Sequence, residues 1–396
     1  MVFSLFSSTS KDPVVQVDMG KNQSWKTGRD GLDKLELEEG EVPSLGDGEV
    51  LVKVLTVSLN YRDVEVCTGE YGHHASLEVA SSLTPCSDMC GIVVATKSAK
   101  WKEGDRVLST FNQSHVTGQV TEKDLATGLG FPLDGVLTRY RVFPAEGLVR
   151  PPSYLAHEEA STLPIAAVTA WMSINQFRAL GDPIDHSAAK AAGKKKKKEK
   201  GEDGDGDEEK DKPTVLLQGT GGVAIAGLQI ARAAGFQTVI TSSSDDKLAR
   251  AKELGASQGI NYRTHWEWEG QVLESTGGRG ADFILETGGA NTLRKSFDCV
   301  TFGGTISCIG YLSGKDNSPE LSRLNVNVLA LRRNVTLKGV LNGPRDRFEE
   351  MLRFYEDKKI KPVVDKVFPF EEAKEAFDYL AKGSHFGKVV IKVGEE

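Results

Sequence analysis

The sequence predicts an α/β protein in which a doubly wound parallel sheet is combined with a barrel-like β domain. Residues 214–218 form an apolar strand pattern that runs into a glycine-rich turn and then into a pattern with helical spacing. Strand and helix patterns continue to alternate after this unit, as is typical of parallel sheets. Ahead of it, short stretches of alternating polarity are separated by glycine turns, which favours a barrel-like domain.

Length and composition limit the possible classes of protein. The 396 residues suggest two or three domains, and the 42 glycines fit a turn-rich α/β protein better than a helical bundle. A net charge of −7 gives no reason to expect a nucleic-acid partner, and no apolar run reaches the ~20 residues of a membrane span. The five cysteines are too scattered for a disulfide framework, and residues 1–10 lack a targeting pattern, so we expect a cytoplasmic protein.

Residues 49–57 predict a strand that leads to candidate chemical groups. Their polarity alternates at period two, as expected of a half-buried strand. The strand leads into a polar cluster at 60–63, where a rigid element would hold side chains for chemistry. Further strands are expected at 89–95 and within 135–149, with a turn at 102–107.

The turn after residues 214–218 matches a dinucleotide-binding fingerprint. Gly219 permits the tight turn, Gly221 lets the backbone approach a pyrophosphate, and Ala224 lets the helix pack on the strand. The unpaired N–H groups at the start of the helix would bind the phosphates. The other turn residues that we expect to contact the cofactor are Thr220, Gly222 and Val223.

The end of the second predicted strand, 237–241, favours NADPH over NADH as the cofactor. An acid about twenty residues after the first glycine would bind a ribose 2′-hydroxyl, but this chain has serines there. Asp245 and Asp246 come later and suit the start of the next helix. An alternative role for the serines is to cap that helix. The candidate ligands of a 2′-phosphate are Ser242, Ser243, Lys247 and Tyr262.

Three later strands extend the predicted parallel sheet, at 259–262, 281–286 and 304–310. Ligands bind at the carboxyl ends of the strands in such sheets. We therefore expect Gly288 and Gly310, which follow two of these strands, to face the cofactor.

Four motifs make the chain similar to the medium-chain dehydrogenase/reductase superfamily. They are NYRD at 60–63, GDRV at 104–107, AAVTAW at 166–171 and GTGGV at 219–223. Each motif is weak by itself, but their order and distances are specific. Within the superfamily, the chain most resembles the zinc-independent branch around quinone oxidoreductases, which is often described as alcohol dehydrogenase-like.

The resemblance implies a GroES-like β-barrel catalytic domain interrupted by a Rossmann domain, with the active site in the cleft between them. Accordingly, 1–165 and 343–396 would form the GroES-like domain, and 166–342 the Rossmann domain that binds NADP(H). The segment 185–212 departs from the family pattern, because five consecutive lysines are followed there by an acidic block. We expect it to be disordered, although a lysine run is also typical of nuclear-localisation or polyanion-binding patches.

The resemblance also implies that no metal is bound. Zinc-dependent members carry a Cys where this chain has Asn60, and a Gly-His-Glu sequence near 86–88, where this chain has Cys-Ser-Asp. A rival cluster matches no standard zinc spacing, and its members are Cys67, His73, His74, Cys86 and Cys90.

Without a metal, an oxyanion that develops on the substrate needs hydrogen-bond donors. The candidates in this sequence are Asn60, Tyr61 and Tyr71. Asp63 would orient this group, and the alternative is that it forms a structural ion pair with Arg62.

Three further expectations about single residues follow from the family analogy. Thr169 would reach the nicotinamide ribose, and Lys388, in the segment that returns to the first domain, would hold the nicotinamide end. Glu65 stands where quinone reductases often carry Tyr, which leaves the class of substrate open. The loop at 111–134 would shape the substrate pocket.

The expected function is reduction of a quinone or an α,β-unsaturated carbonyl by hydride transfer from NADPH, without zinc. The alternatives are an alcohol or aldehyde dehydrogenase and a non-catalytic NADPH-binding protein. The expected partners are a small-molecule substrate and a second copy of the chain. The homodimer would pair the edges of two Rossmann sheets, and residues 305–309 are apolar enough to lie near a covered edge.

Overall fold

Two large sheets organise the computed structural model, which describes residues 20–72, 80–175, 212–314 and 324–395. One is a mixed sheet, and the other is parallel. Apart from Lys212, the segment 185–212 lies outside the described residues, and so do His73 and His74.

The mixed sheet is built from both ends of the chain. Its order is β14-β15-β3-β4-β5-β7, with β6 paired to β3, while β1 and β2 form a separate antiparallel ribbon. The N-terminal strands are β1 (Asn22–Lys26), β2 (Glu36–Gly40), β3 (Glu49–Leu59), β4 (Asp88–Thr96), β5 (Arg106–Ser109), β6 (Tyr140–Pro144) and β7 (Leu148–Val149).

The parallel sheet follows the predicted strand–helix alternation. Its order is β10-β9-β8-β11-β12-β13, and every pairing in it is parallel. Its strands are β8 (Thr214–Gln218), β9 (Gln237–Ser242), β10 (Gln258–Asn261), β11 (Ala281–Glu286), β12 (Val300–Cys308) and β13 (Thr336–Gly339). The last two strands of the chain, β14 (Val364–Pro369) and β15 (Lys388–Lys392), join the mixed sheet.

Two strands differ from the sequence-based expectation. Most of β3 is buried on both faces rather than on one, because apolar residues from several elements cover it. The stretch 305–309 is not at an edge of the sheet. It belongs mostly to β12, and β13, which the sequence did not predict, pairs along it and forms the outer strand of the described part of the sheet.

Most of the helices cover the parallel sheet. The described helices are α1 (Tyr61–Thr68), α2 (Glu122–Leu125), α3 (His157–Ala160), α4 (Val168–Asn175), α5 (Gly222–Ala233), α6 (Asp245–Glu253), α7 (Trp268–Ser275), α8 (Leu293–Cys299), α9 (Val326–Arg333), α10 (Arg345–Lys358) and α11 (Ala373–Ala381). A π-helical turn at Leu163–Ala167 leads into α4. None of these described helices is long and apolar enough to cross a membrane.

Successive residues of β8 point into two different apolar cores, which makes the sheet doubly wound. Val215 and Leu217 pack in a cluster with residues of α4, α5 and α10. Leu216 packs on the other face with residues of α7, α8 and α9. This alternation follows from the period of two along a strand. Both faces of the sheet are therefore covered, and the carboxyl ends of its strands are left for ligands.

Candidate active site

The glycine-rich turn between β8 and α5 has the geometry that a pyrophosphate needs. Gly219 adopts a left-handed conformation with φ of 77°, which strongly favours glycine. Gly221 precedes the first residue of α5, so the N-terminus of that helix opens onto the turn. A Cβ atom on Gly219 would meet no described atom within 4 Å, so there is open space beside the turn. A dinucleotide fits this cradle.

The return segment before β15 covers one side of this turn. The Gly387 amide donates a hydrogen bond to the Thr220 carbonyl over 3.0 Å, and Gly387 also forms a bridge with Gly221. A Cβ on Gly222 would lie 2.6 Å from Cδ of Lys388, so the lysine stem runs across the start of α5. Val223, the next residue of the helix, packs against the apolar core.

Thr169 on α4 is a buried hydroxyl with an unmet hydrogen-bonding capacity. Its Oγ1 atom has no hydrogen-bond partner among the described residues, although the residue is only 2% exposed. Its carbonyl accepts a hydrogen bond from Ser173. Buried hydroxyl groups normally have partners, so a ligand group fits this position.

The groups expected at a 2′-phosphate are only partly available at the end of β9. Ser242 is buried, and its hydroxyl accepts a hydrogen bond from the Ser244 amide. Ser244 caps α6 by accepting from the Lys247 amide, so the capping alternative holds for this serine. The Lys247 ammonium donates to the Gly383 carbonyl over 3.0 Å. Ser243, between Ser242 and Ser244, is half-buried and does not cap the helix. Its hydroxyl is therefore the best candidate among the three serines for contact with a 2′-phosphate.

Tyr262 is held at the same strand ends by its backbone. Its amide donates to the Ser242 carbonyl over 3.0 Å, while its ring packs against the apolar core that contains Ile260. The structure thus places Tyr262 beside the expected site, with its ring directed to the core.

A buried carboxylate at the end of β11 organises the loop that carries Gly288. Glu286 accepts hydrogen bonds from the amides of Gly288 and Gly289, at 2.9 and 3.0 Å. The other donors to this carboxylate are Gln218, Thr292 and Ser296. The Glu286 carbonyl accepts from the Gly310 amide, so both predicted glycine loops meet here. This role of Glu286 was not predicted from the sequence, where its only sign is an acid at the end of an apolar strand.

The motif at 60–63 begins α1 directly after β3. The Asp63 carboxylate accepts from the Asn60 amide over 2.8 Å and from the Arg62 guanidinium over 3.2 Å. Asp63 therefore has both of the roles considered from the sequence, since it fixes the Asn60 backbone and pairs with Arg62. Burial raises the pKa of Asp63 to about 6, while Arg62 and the Asn60 amide act against this shift.

Lys388 reaches the same place from β15. Its ammonium donates to Oδ1 of Asn60 and to the carbonyl of Leu59, both over 2.6 Å. It also lies 4.0 Å from Oδ2 of Asp88, so the residues that form this polar cluster are Asn60, Asp63, Asp88 and Lys388. The structure brings the predicted catalytic Asn60 together with the predicted cofactor residue Lys388. Asp88 was not predicted as a site residue.

Burial dominates the protonation of this polar cluster. It lowers the pKa of Lys388, although Asp88 and Asp63 act in the opposite direction. Burial raises the pKa of Asp88, while Lys388 and the side-chain amide of Asn60 oppose that shift. No described residue accepts a hydrogen bond of normal geometry from Nδ2 of Asn60. The carboxamide is thus held by its oxygen.

The two candidate tyrosines differ in their surroundings. Tyr61 is 45% exposed, at the start of α1. The ring of Tyr71 faces the Arg62 guanidinium at 4.8 Å and meets Phe131 edge-on. Tyr311, just after Gly310, was not predicted as a site residue. Its hydroxyl donates a hydrogen bond to the Glu65 carboxylate over 2.9 Å.

An open cleft of about 110 Å³ lies between the loop after β5 and the segment after β13. Part of the loop predicted at 111–134 lines this cleft, and the main lining residues are Asn112, His115, Val120, Met172, Leu341 and Asn342. Met172 follows Thr169 on α4. Within the described ranges, no group of three or more His, Cys, Asp or Glu residues is arranged to hold a metal ion.

Two family models match most of the chain. The model described as "Alcohol dehydrogenase GroES-like domain" matches residues 46–153, and the model described as "Zinc-binding dehydrogenase" matches residues 222–357. The second match begins at Gly222, near the end of the glycine turn, and includes both glycine loops that meet at Glu286.

Proteins with similar sequences and structures cover most of the chain. A zinc-type alcohol dehydrogenase-like protein of Schizosaccharomyces pombe is 38% identical over 92% of this chain and 96% of its own length. A quinone oxidoreductase-like protein 2 homolog of Nematostella vectensis is 24% identical over 93% of this chain and 91% of its own. The crystal structure of a putative alcohol dehydrogenase from Sinorhizobium meliloti 1021 is 36% identical, with a TM-score of 0.77 over 95% of this chain and 100% of that one.

Proposed function

Because the chain belongs to the medium-chain dehydrogenase/reductase superfamily and is an NAD(P)H-dependent oxidoreductase, we propose that it reduces a quinone or an α,β-unsaturated carbonyl. The proposed cofactor is NADPH, and the proposed reaction needs no zinc. The observation that carries this proposal is the hydrogen bonding of Asn60, which stands where zinc-dependent members have a Cys ligand. Here a lysine ammonium holds its carboxamide oxygen.

The groups around Asn60 support zinc independence. Oδ1 of Asn60 is already bonded to Lys388, and the Asp88 carboxylate accepts from the Ser87 hydroxyl and the Ile165 amide. These oxygens are therefore committed to hydrogen bonds inside the chain. A zinc ion prefers thiolate and imidazole ligands, and this cluster contains neither in a ligand geometry.

Several residues at the carboxyl ends of the parallel strands and on α4 would hold the cofactor. The turn at 219–223 and the N-terminus of α5 suit the pyrophosphate, and the orphan hydroxyl of Thr169 suits a ribose or nicotinamide group. Ser243 offers a hydroxyl at the end of β9, where a carboxylate would repel a 2′-phosphate. When bound, the nicotinamide supplies the hydride.

The chain's own residues would orient and polarise the substrate. Lys388 holds Asn60 by its oxygen, and the NH₂ group of Asn60, which also acts on Asp88, has a second N–H that would donate to a carbonyl oxygen that gains negative charge. Tyr61 is the second candidate donor, because it is exposed at the start of the same helix. Water would then protonate the carbon of the enolate. The packing of Tyr71 against Arg62 favours a supporting role for that tyrosine.

A panel of substrates with NADPH and NADH tests this proposal. We expect turnover of quinones or enones with NADPH, unaffected by chelators, and no stoichiometric zinc after dialysis. Asn60→Ala should lower kcat at least tenfold by removing a transition-state donor, whereas Gln271→Ala on α7 serves as the control.

Three outcomes would contradict the proposal. Oxidation of alcohols with about one zinc per chain would identify a zinc-dependent alcohol dehydrogenase. Tight NADPH binding without turnover of quinones, enones, aldehydes or alcohols would favour a non-catalytic binding protein. Unchanged kcat in Asn60→Ala would remove Asn60 from the reaction.

A further inference from the structure

The ammonium group of Lys388 lies among oxygen atoms that resemble the ligands of a hard cation. A backbone carbonyl and an amide oxygen lie 2.6 Å away, from Leu59 and Asn60, and a carboxylate oxygen of Asp88 lies at 4.0 Å. Carbonyl, amide and carboxylate oxygens are the groups that bind Mg²⁺ and Ca²⁺ in proteins. In this cluster the positive charge comes from the chain itself.

The path of β15 explains how a lysine reaches this position. Val389 is paired with Leu59 across the antiparallel β15–β3 ladder, so Lys388 comes next to the first residue after β3. Its stem crosses Gly222 at the start of α5, where a Cβ would collide with Cδ of the lysine. Lys388 is 6% exposed, so its ammonium group is directed inwards between the glycine turn and Asn60.

We propose that Lys388 is a positioning residue that acts as a built-in cation, in the place that a metal ion would take in this cluster. It holds Asn60 by the carboxamide oxygen and compensates the buried carboxylates of Asp88 and Asp63. This departs from the expected role of Lys388 in holding the nicotinamide end, because two of its three N–H donors are used inside the protein. The effect on catalysis rests on the proposed function of Asn60, but the cation site does not.

The charge of Lys388 matters because its neighbours are buried acids. Asp63 and Asp88 are both fully buried, and Arg62 pairs directly only with Asp63. Removal of one partner from a buried charged group leaves the other without compensation, which is strongly destabilising. A neutral side chain that fills the same volume should therefore not replace the lysine.

Chemical rescue of Lys388→Ala by propylammonium tests this inference. The substitution leaves a cavity lined by the three oxygen atoms, into which an alkylammonium ion of similar size fits. We expect the melting temperature of the variant to fall by roughly 5 °C or more and to rise again, saturably, with propylammonium but not with propanol. Turnover should fall at least tenfold in kcat, with the KM for NADPH within about threefold, and should recover with the same amine.

Two further variants serve as controls. Lys392→Ala removes an exposed lysine from the same strand and should melt equally with and without the amine. Lys388→Met keeps the stem without the charge, so we expect it to be destabilised and not rescued, because the methionine fills the cavity. If Lys388→Ala does not fold, refolding in the presence of propylammonium or propanol gives the same comparison.

The results separate this inference from the proposed function. Absence of amine-dependent stabilisation in Lys388→Ala would overturn the cation site, whatever the activity. A rise confined to the KM for NADPH would return Lys388 to cofactor binding. If the wild type reduces no quinone or enone, the proposed function fails, while the melting data still decide whether the ammonium group is a structural cation.

Discussion

At the scale of single residues, burial and hydrogen bonds compete for control of each carboxylate. Burial raises the pKa of Asp63 to about 6, against the opposing effects of Arg62 and the Asn60 amide. Burial also acts to raise the pKa of Asp134, but hydrogen bonds from the Thr84 amide and from Lys26 outweigh it and lower that pKa. The two acids should therefore affect stability with opposite dependence on pH.

Asp63→Asn should become more stable relative to the wild type as the pH rises. A carboxyl whose pKa is higher in the folded protein than in the unfolded chain binds its proton more tightly when folded. Its contribution to stability is present below the unfolded pKa, 3.8, and is lost as the pH rises through about 6. The relative gain of Asp63→Asn between pH 4 and 7 should be on the order of 2–3 kcal/mol, measured by urea unfolding.

Asp134→Asn is the matched control for this effect. Because the pKa of Asp134 is lowered in the folded protein, its carboxylate contributes stability above its unfolded pKa. Asp134→Asn should therefore lose stability relative to the wild type as the pH rises towards about 4, and should change little between pH 4 and 7. A pH-independent difference between Asp63→Asn and the wild type would contradict the argument.

Ser243→Asp should weaken NADPH binding at least tenfold and leave NADH binding unchanged or improved. A carboxylate at the end of β9 would repel the 2′-phosphate, whereas a hydroxyl donates to it. Ser243 is a better position for this test than Ser242, because Ser242 is buried and its hydroxyl accepts from the Ser244 amide. Titration of both cofactors is the measurement, with Ser243→Ala as the neutral control. Equal NADPH affinity in Ser243→Asp and the wild type would exclude a phosphate contact here.

The contact between Asn60 and Lys388 could not be predicted from the sequence. Asn60 and Lys388 were each singled out by a motif, but for different roles. They are 328 positions apart, and only the pairing of β15 with β3 joins them. Tyr311 belongs to no recognised motif, and Asp88 was noted only in the sequence that replaces Gly-His-Glu. The roles of both residues depend on which side chains the fold brings next to them.

At the scale of elements, sequence periodicity was most reliable where a strand and a helix form one local unit. The turn between β8 and α5 and the start of α6 at Asp245 were both predicted correctly. The periodicity of β3 predicted one buried face, but residues from distant parts of the chain cover the other face as well. The strand β13 was missed because it is short, only partly buried and contains Lys338. Burial by distant elements cannot be derived from local pattern.

Glu286→Ala should raise the Kd for NADPH at least tenfold and destabilise the protein by about 2–4 kcal/mol. The carboxylate accepts from the amides of Gly288 and Gly289 and from buried side chains, so its loss leaves several donors unsatisfied. The loop after β11 would then lose its fixed position. Cofactor titration and calorimetry measure the two effects.

Glu253→Ala, at the end of α6, is the control for Glu286→Ala because it removes a carboxylate without disturbing the glycine loops. If Glu286→Ala loses stability but binds NADPH as tightly as the wild type, the loop after β11 does not contact the cofactor.

At the scale of the whole molecule, β13 is an edge strand of the parallel sheet in the described part of the chain. Large apolar side chains are exposed on elements next to this strand, including Leu331 on α9, which is 81% exposed. Exposed strand edges and apolar surface favour association. This supports the proposal that two copies pair along β13, rather than along the stretch 305–309.

Light scattering at micromolar concentration should give the mass of a dimer. Leu331→Glu should shift the protein towards the monomer, because it places a charge on the exposed face of α9. Leu37→Glu provides the control, since Leu37 is a partly exposed apolar residue on β2, in a separate ribbon. A monomeric wild type would refute the dimer.

Ribosomal synthesis delivers β15 after all the other described strands, although this strand lies inside the mixed sheet between β14 and β3. Lys388 and Leu59, which it brings together, are 329 positions apart. The strands of the parallel sheet all lie between 214 and 339, so a nascent chain can complete that sheet first. Until β15 emerges, residues 56–59 of β3 present an open edge to chaperones and to other nascent chains, while β6 covers residues 49–53. A chain released early would carry a formed nucleotide-binding fold without the ammonium group beside Asn60.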